Sequence, residues 1–353
     1  MRILIEPNDV LMFRESRPYT AGEGHLARSV YPLPQTVAGA LRTAILIKND
    51  FSNEACELAG VEKENGKLVP KEPNFEVLGH FLFKDEEFFH TPLDVAKAKG
   101  IDGYFLVKPL FLNQWNRFIF KGESIHFESV GGFIDYDSLV DYLKDGLSED
   151  ELEEVVEQDL IVRESRVGIK LGNAKVTEEG FFYKAEFLRL FGISVWIGKN
   201  GERLKELLGD KGLIGLGGES RFVRFEVKDE NPVSKFEEVW DEIREKINNE
   251  KKFKLYVATP LLVKNGNYTW DIRSVLESDL GINVKKVYPL IGKPLAFSGW
   301  DYANNKPKPN RYAVPSGSVY FVEFEGNVEV DRPYLKLGEL TRLGFSLCFV
   351  GVW

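Results

Sequence analysis

The fold is decided by residues 1–48, which read MRILIEPNDVLMFRESRPYTAGEGHLARSVYPLPQTVAGALRTAILIK. Residues 2–5 are apolar enough for a strand, and the EPND sequence that follows is a turn signal. Residues 15–34 are rich in Gly, Pro, Arg and Ser and are predicted to form a loop. Thr36 is a candidate N-cap for a helix over residues 37–48. A strand, a loop and a helix in this order open a β-α-β-β-α-β unit.

The remainder of the first half completes this unit after an interruption. Residues 50–160 are predicted to be a large insertion, because most of them show no clean period and an acidic helix with a capping box at Ser148 and Glu151 follows. The later predicted elements are a hairpin over residues 162–170 and 181–188, a helix over residues 201–208 and a strand over residues 219–227. Strand, helix, two strands, helix, strand is the order of a ferredoxin-like (RRM-like) domain, here over residues 1–230.

The second half shows the same order of patterns after a connecting helix. Residues 231–250 place Phe236, Val239, Trp240, Ile243 and Ile247 at helical spacing. The elements predicted after it are strands over residues 253–263, 284–291, 319–324 and 345–352 and short helices over residues 271–280 and 335–340. The sequence therefore predicts an α+β protein with a second ferredoxin-like domain over residues 251–353.

Composition narrows the class of protein. The 353 residues are 43% hydrophobic, which is typical of a folded chain, and no apolar run reaches the roughly 20 residues of a membrane span. The N-terminus lacks the apolar core of a signal peptide, so we expect a cytoplasmic protein. Four histidines and two distant cysteines lack metal-ligand spacing, so neither a metal nor a cofactor is expected. Few glutamines beside many Lys and Glu weakly favour a thermophilic source.

The net charge of −9 opposes nucleic-acid binding by bulk electrostatics. An RNA-binding function would need a local basic face, with the acidic surplus elsewhere or facing a basic partner. The simpler interpretation of the charge alone is an ordinary acidic soluble protein.

The N-terminal loop and helix carry the first set of candidate RNA-binding residues. These are Arg14, Arg17, His25, Arg28 and Arg42. Arginine forks match phosphate geometry, and a glycine-containing loop lets backbone approach a ligand closely. An alternative is a surface loop whose arginines pair with its own glutamates.

His25 and the glycine turn at residues 215–218 each allow more than one interpretation. His25 could act as a general base for RNA cleavage, but no second catalytic group lies near it in sequence, so a phosphate contact is the simpler role. A dinucleotide site would need a strand before the glycines and a helix after them, whereas the order predicted here is the reverse. Gly217 and Gly218 are instead candidates for close approach to an RNA backbone, beside Arg221.

A second candidate region lies in the irregular stretch over residues 292–317. Aromatic and cationic side chains alternate in it, which suits stacking on single-stranded RNA together with phosphate contact. The candidates are Lys293, Trp300, Lys306, Lys308 and Arg311. An alternative is a Pro-rich excursion whose aromatic rings cover the second domain's core.

Several segments together resemble one known family. The opening has the pattern P-x-D-x-x-x-F-R-[DE], a Gly/His loop, a Pro-x-Pro turn and a GALR helix, and later segments read SGWD, KPKPNRYAVPSGSVYF and LTRLGFSLCFVG. This set resembles the third RAMP-family subunit of the Cmr-type (type III-B) CRISPR effector complex, and RVGIKLGNAKVTEEGFFY resembles the hairpin of RAMP proteins. The matching segments cover about a third of the chain.

The resemblance implies a function as well as a fold. It implies two ferredoxin-like RAMP domains and contact with the repeat-derived 5′ tag of the CRISPR guide RNA. It also implies contacts with the large palm-domain subunit and a neighbouring backbone RAMP subunit, without a catalytic role. Two other classes stay open: a metal-independent endoribonuclease that processes repeat RNA through His25, and a nucleotide-binding enzyme that uses the glycine turn.

Overall fold

The computed structural model describes residues 1–15, 26–64, 66–98, 102–107, 119–120, 123–124, 127–171, 177–263, 271–301 and 305–353. The helices are α1 (Pro34–Lys48), α2 (Asn53–Ala59), α3 (Tyr136–Lys144), α4 (Glu149–Val155), α5 (Gly201–Leu208), α6 (Ser234–Glu250) and α7 (Arg273–Leu280). The strands are β1 (Arg2–Pro7), β2 (Leu26–Ala27), β3 (Val61–Glu64), β4 (Lys67–Pro70), β5 (Val77–Phe83), β6 (Glu87–His90), β7 (Val95–Ala98), β8 (Phe105–Leu106), β9 (Ile119–Phe120), β10 (Glu123–Ser124), β11 (Phe127–Ser129), β12 (Phe133–Asp135), β13 (Ile161–Leu171), β14 (Thr177–Leu190), β15 (Gly192–Ile197), β16 (Lys211–Gly215), β17 (Phe222–Lys228), β18 (Lys252–Val257), β19 (Asn283–Leu290), β20 (Leu295–Phe297), β21 (Trp300–Asp301), β22 (Lys306–Pro307), β23 (Arg311–Ala313), β24 (Val319–Glu325), β25 (Tyr334–Lys336) and β26 (Leu347–Gly351).

The first sheet has the strand order β12-β6-β5-β15-β1-β17-β16, and each neighbouring pair is antiparallel. The predicted first strand, β1, lies inside this sheet, and the predicted helix α1 packs on one of its faces with α5. Ile3 and Ile5 alternate toward that face and share a core with Leu41 and Ile45 of α1. The period-2 pattern of the first residues therefore sets which face of the sheet is covered.

The predicted hairpin over residues 162–170 and 181–188 exists, but it does not belong to this sheet. Its strands β13 and β14 pair with each other, and β14 pairs in parallel with β2. The strands beside β1 on that side are β15 and then β5, and β5 lies within the predicted insertion. The difference has a physical cause, because β5 reads VLGHFLF and is almost wholly buried, whereas β13 carries charged residues on both faces.

The second sheet has the order β19-β24-β18-β26-β25 and is also antiparallel throughout. The helix α7 connects β18 to β19, as predicted. The helix predicted over residues 335–340 is wrong, because β25 occupies the start of this segment and pairs with β26. Leu335 is buried between two partly exposed neighbours, and Gly338 follows with a φ of +85°, so the segment alternates as a strand and then turns.

The helix α6 packs against both α3 and the second sheet, as its amphipathic pattern predicts. Phe236 of α6 stacks on Phe349 of β26 with ring centroids 4.0 Å apart. Trp196 of the first sheet lies 6.4 Å from the same phenylalanine ring. These rings belong to one continuous core, and burying each stabilises the fold by on the order of 2 kcal/mol. The two sheets are therefore joined by shared packing.

Two further findings concern membrane-spanning helices and metal sites. In the described part of the chain, no helix is long and apolar enough to cross a membrane. Across those same residues, His, Cys, Asp and Glu side chains form no group of three or more that could hold a metal ion.

Candidate nucleic-acid interface

The glycine turn packs directly on the chain segment that follows β1. Gly217 has a φ of +86°, and a Cβ atom there would lie 2.7 Å from the carbonyl oxygen of Met12. The N–H of Gly218 donates to that same oxygen at 2.8 Å. Only glycine fits position 217 without strain, so the turn and the segment after β1 are held together by their backbones.

This turn joins β16 to β17, so no helix begins after it. The sequence prediction missed β16, which lies between α5 and the glycines. The order of elements still differs from that of a dinucleotide site, because the amides of the turn are not presented at a helix N-terminus.

Five of the predicted residues lie together in this region: Arg14, Arg28, Gly217, Gly218 and Arg221. Arg14 forms an ion pair with Glu219 at 3.7 Å, beside the turn. Arg28 is exposed, and its carbonyl accepts from the N–H of Glu15 at 3.3 Å. Arg17 and His25 lie outside the described residues.

The ribbon of β13 and β14 adds arginines that the sequence analysis did not select. Arg166 and Arg189 lie on one face of the ribbon, because their positions pair with Ala185 and Val162 in an alternating register. Their guanidinium groups lie 3.6 Å from the Asp9 carboxylate, which Arg221 also approaches at 3.2 Å. The sequence does show the spacing of these arginines along the hairpin. Assigning them to one face also requires the pairing register of the two strands.

An aromatic ring lies beneath these arginines. The guanidinium carbons of Arg166 and Arg221 lie 5.1 Å and 5.3 Å from the centroid of the Phe187 ring. Phe187 is buried in a small core with Val10 and Met12. Cation–π contact with this fixed ring orients the two guanidinium groups. We call Arg14, Arg166, Arg189 and Arg221 with Asp9 and Phe187 the arginine surface.

Two carboxylates each contact more than one arginine of the arginine surface: Asp9, which belongs to it, and Glu164 beside it. The pKa of Asp9 is lowered, first by the N–H of Val10 and then by the three arginines around it. The pKa of Glu164 is lowered by hydrogen bonds from Arg189 and Arg166. Such exposed pairs contribute little to stability, since water screens them. The guanidinium groups can therefore exchange these carboxylates for phosphate oxygens at small cost.

The arginine side chains are open to solvent to different extents. The side chain of Arg14 is 59% exposed, that of Arg189 53% and that of Arg166 39%. Arg221 is more enclosed, and its Nε has no hydrogen-bond partner. That Nε is buried, so a phosphate group that entered here would bind by exchange with the carboxylates at the exposed guanidinium groups.

Arg42 lies elsewhere and has a structural role. Its guanidinium donates to the carbonyls of Ala59, Gly60 and Lys71 at 2.6 to 3.0 Å. Burial lowers its pKa. These carbonyls lie at the end of α2 and in the segment after β4, so Arg42 joins α1 to them. The placement separates Arg42 from the other arginines predicted to contact RNA, and its Nε and Nη2 donors are occupied by these carbonyls.

The second predicted group lies on the hairpins between β19 and β24. Lys293, Lys306 and Lys308 are exposed, whereas Arg311 pairs with Glu339 at 3.3 Å. The backbone of Trp300 belongs to β21, while its side chain lies outside the described part of the structure.

These hairpins touch the start of α1. The side chain of Gln35 donates to the carbonyl of Ser298 at 2.7 Å. Arg28 precedes Gln35 by seven residues, which span at most about 25 Å. The two predicted groups therefore lie on neighbouring parts of the molecule, with the chain between Arg28 and Gln35 joining them.

Comparisons with known proteins agree with this architecture. The family model described as CRISPR-associated protein (Cas_Cmr3) matches residues 3–353. A chain in the structure "Cryo-EM structure of the Type III-B Cmr-beta bound to cognate target RNA and AMPPnP, state 1" is similar in fold, with 17% identity and a TM-score of 0.51 over 91% of this chain and 86% of that chain. A chain in "Cryo-EM structure of the Type III-B Cmr-beta bound to cognate target RNA" has 18% identity and a TM-score of 0.50 over the same shares. No curated protein is similar enough to count as a match.

Proposed function

The chain belongs to the Cas_Cmr3 family of CRISPR-associated proteins, and from this premise we propose that it is a non-catalytic, RNA-binding subunit of a type III-B Cmr effector complex. Its ligand is the repeat-derived 5′ tag of the guide RNA. Its protein partners are the large palm-domain subunit and a neighbouring backbone RAMP subunit, in the cytoplasm.

The arginine surface is the observation that carries this proposal. Arg14, Arg166, Arg189 and Arg221 come from three separate parts of the chain and face one region. Two of these guanidinium groups, those of Arg166 and Arg221, are oriented by Phe187. The exposed ones pair with exchangeable carboxylates, which suits a phosphodiester backbone. The net charge of −9 is compatible with such a local site, because charge elsewhere on the chain can face partner subunits.

The fold component of the proposal rests on strand order. In the first sheet, β17-β1-β15-β5 with α1 and α5 on one face follows the order of a ferredoxin-like domain. In the second sheet, β19-β24-β18-β26 follows the same order, with β25 where a second helix would lie. We assign residues 1–230 and 251–353 to two RAMP domains, with α6 connecting them.

The proposal predicts weak binding by the chain alone and strong binding by the complex. Because the chain is acidic overall, it should bind tag RNA with a Kd on the order of micromolar or weaker at physiological salt. Adding the partner subunits should tighten binding, since they would complete the RNA-binding site around the arginine surface and exclude water from it. Titration of labelled tag RNA with the isolated chain and then with the reconstituted complex measures both values. Nanomolar, sequence-specific binding by the isolated chain would contradict the proposal.

The predicted loop arginines have a test of their own. Replacing Arg14 and Arg17 together by alanine should weaken retention of guide RNA in the assembled complex and reduce the salt slope by about one for each lost phosphate contact. Normal assembly with an unchanged slope would remove both residues from the interface.

The endoribonuclease alternative makes a different prediction. It requires site-defined cleavage of repeat RNA by the purified chain, lost in the His25→Ala variant. Our proposal predicts that neither the wild-type chain nor this variant cleaves the RNA, with or without divalent metal.

A further inference from the structure

The strand β16 is the outer strand of the first sheet, and one of its two edges is open. It pairs in an unshifted antiparallel register with β17. The N–H of Leu216 donates to Arg221, and the carbonyl of Asp210 accepts from Val227. In an antiparallel pair the bonded positions alternate, so even-numbered residues of β16 face β17 and odd-numbered residues face outward. In the described structure, the outward backbone groups of Lys211, Leu213 and Gly215 have no partner strand.

This edge lacks the protection that solvent-exposed edges usually carry. It contains one charged residue, Lys211, and its register with β17 has no bulge. Gly212 and Gly215 are exposed and have no side chains to cover the backbone. An open edge of this kind is a template for pairing with a strand of another chain.

The neighbouring sheet face is apolar and exposed. Leu213 is 64% exposed and Phe191 is 58% exposed, and both line a cleft of about 930 Å³ over β1, β16 and β17. Leu4 and Phe83 also line it. Exposed apolar groups that share one cleft mark an interaction surface.

The charges around the cleft argue against a nucleic acid as its occupant. Its lining contains three cationic side chains and three carboxylates, so their formal charges cancel. A polyanion would meet as much repulsion as attraction there, unlike at the arginine surface. A protein strand needs only backbone partners at the edge and an apolar contact beside it.

From these observations we propose that β16 is a docking edge to which a β-strand of a partner subunit adds, with the partner's side chains entering the cleft beside Leu213. The inference rests on the proposed function, because the partner is another protein of the effector complex. It adds a mode of association, namely backbone pairing at residues 211–215, to that function.

Hydrogen exchange resolved to single amides tests this edge in the reconstituted complex. The amides of Lys211, Leu213 and Gly215 should exchange rapidly in the isolated chain and about tenfold or more slowly in the complex. The amides of Gly212 and Ile214 face β17 and serve as internal controls that are protected in both states.

The Leu213→Pro variant removes one outward N–H without removing a bond to β17, since proline is tolerated at such a position of an edge strand. It should weaken association with the partner subunits about tenfold, whereas Leu213→Val, which keeps the amide, should bind as the wild type does. Thermal melting of both variants checks that the chain is folded. The exchange measurement on the wild type stands even where the proline variant does not fold.

The outcomes separate the inference from the function it rests on. If the complex assembles and retains guide RNA while the three amides stay unprotected, the docking edge is wrong and the proposed function stands. Protection that appears with RNA alone would assign the edge to nucleic acid, and protection that grows with the concentration of the isolated chain would assign it to self-association. Either would overturn the inference. If the chain binds neither the other subunits nor guide RNA, both proposals fail.

Discussion

Glu87 of the first sheet and Asp9, in the segment that follows β1, both face arginines, and they differ in their surroundings. Glu87 is buried, and its Oε1 accepts from Arg2 at 2.8 Å, from Ser194 at 2.7 Å and from Trp196 at 3.2 Å. The side chain of Asp9 is 44% exposed, and its carboxylate contacts three arginines and the backbone N–H of Val10.

Under the proposed function, the same ion-pair chemistry stabilises the fold at Glu87 and binds RNA around Asp9. Glu87 cannot leave its partners without stranding donors in the core, so the network fixes the strands that it joins. Asp9 can release its arginines to an incoming phosphate, because water and the ligand replace the lost pairs. The account predicts that disturbing the first network changes folding and disturbing the second changes RNA binding.

The largest expected effect is on the Glu87 network. Glu87→Ala should lower the free energy of unfolding by about 3 kcal/mol or more, because Arg2 and the indole N–H of Trp196 lose a buried acceptor. Chemical denaturation measures this loss. Asp9→Ala is the matched control and should leave the midpoint of unfolding close to that of the wild type. Equal destabilisation by both substitutions would contradict the comparison.

The next effect concerns pH. His80 stacks on Tyr31 and is buried, and burial lowers its pKa to about 4, as it does for the neighbouring His90. In the unfolded chain the imidazole of His80 is protonated below about pH 6.5, whereas in the folded chain it is protonated only below about pH 4. The free energy of unfolding should therefore fall as the pH decreases between these values. The loss from His80 alone is on the order of 3 kcal/mol.

Denaturation of the wild type and of His80→Phe at pH 7 and pH 5 measures this dependence. The variant keeps an aromatic ring and cannot be protonated, so its stability should change less between the two values. A variant with the same pH dependence as the wild type would show that His80 does not titrate in this way.

A smaller effect, on the affinity for guide RNA, is expected when the negative charge of Asp9 is removed. Asp9→Asn should tighten binding of guide RNA to the assembled complex by a few-fold, because Arg166, Arg189 and Arg221 lose a competing anion. Competition binding at fixed ionic strength measures the ratio of affinities. Weaker binding by the variant would mean that Asp9 positions the arginines, and the exchange of carboxylate for phosphate would then be wrong.

The sequence was sufficient for elements whose patterns are local. The strand β1 and the amphipathic helix α6 follow from short periodicities, and the helix α1 follows from its composition. Both large sheets are antiparallel, as the predicted β-α-β-β-α-β order requires. The strand β5 was missed because a strand buried on both faces shows no alternation. The segment containing β25 was misassigned because so few residues before a glycine turn do not distinguish the period of a strand from that of a helix.

The candidate site was predictable in part, for a related reason. Arg14 and Arg221 were selected because loops rich in glycine and arginine are visible in the sequence, and the structure brings them together. Their role in RNA binding stays a prediction. Arg166 and Arg189 were not selected because their shared face depends on the pairing register of the ribbon, which sequence does not give. Arg42 was selected by residue type, although backbone carbonyls occupy its Nε and Nη2 donors.

The salt dependence of guide-RNA binding tests the arginine surface most directly. In the reconstituted complex, Arg166→Ala with Arg189→Ala should lower the slope of log Kd against log salt by roughly two, one for each lost phosphate contact. Arg203→Ala is the control, because Arg203 is an arginine of α5 that pairs with Glu57 and Glu54 away from the arginine surface. We predict a reduced slope and weaker retention of guide RNA in the double variant, with neither change in the control. An unchanged slope in the double variant, or an equal change in both, would contradict the assignment of RNA binding to the arginine surface.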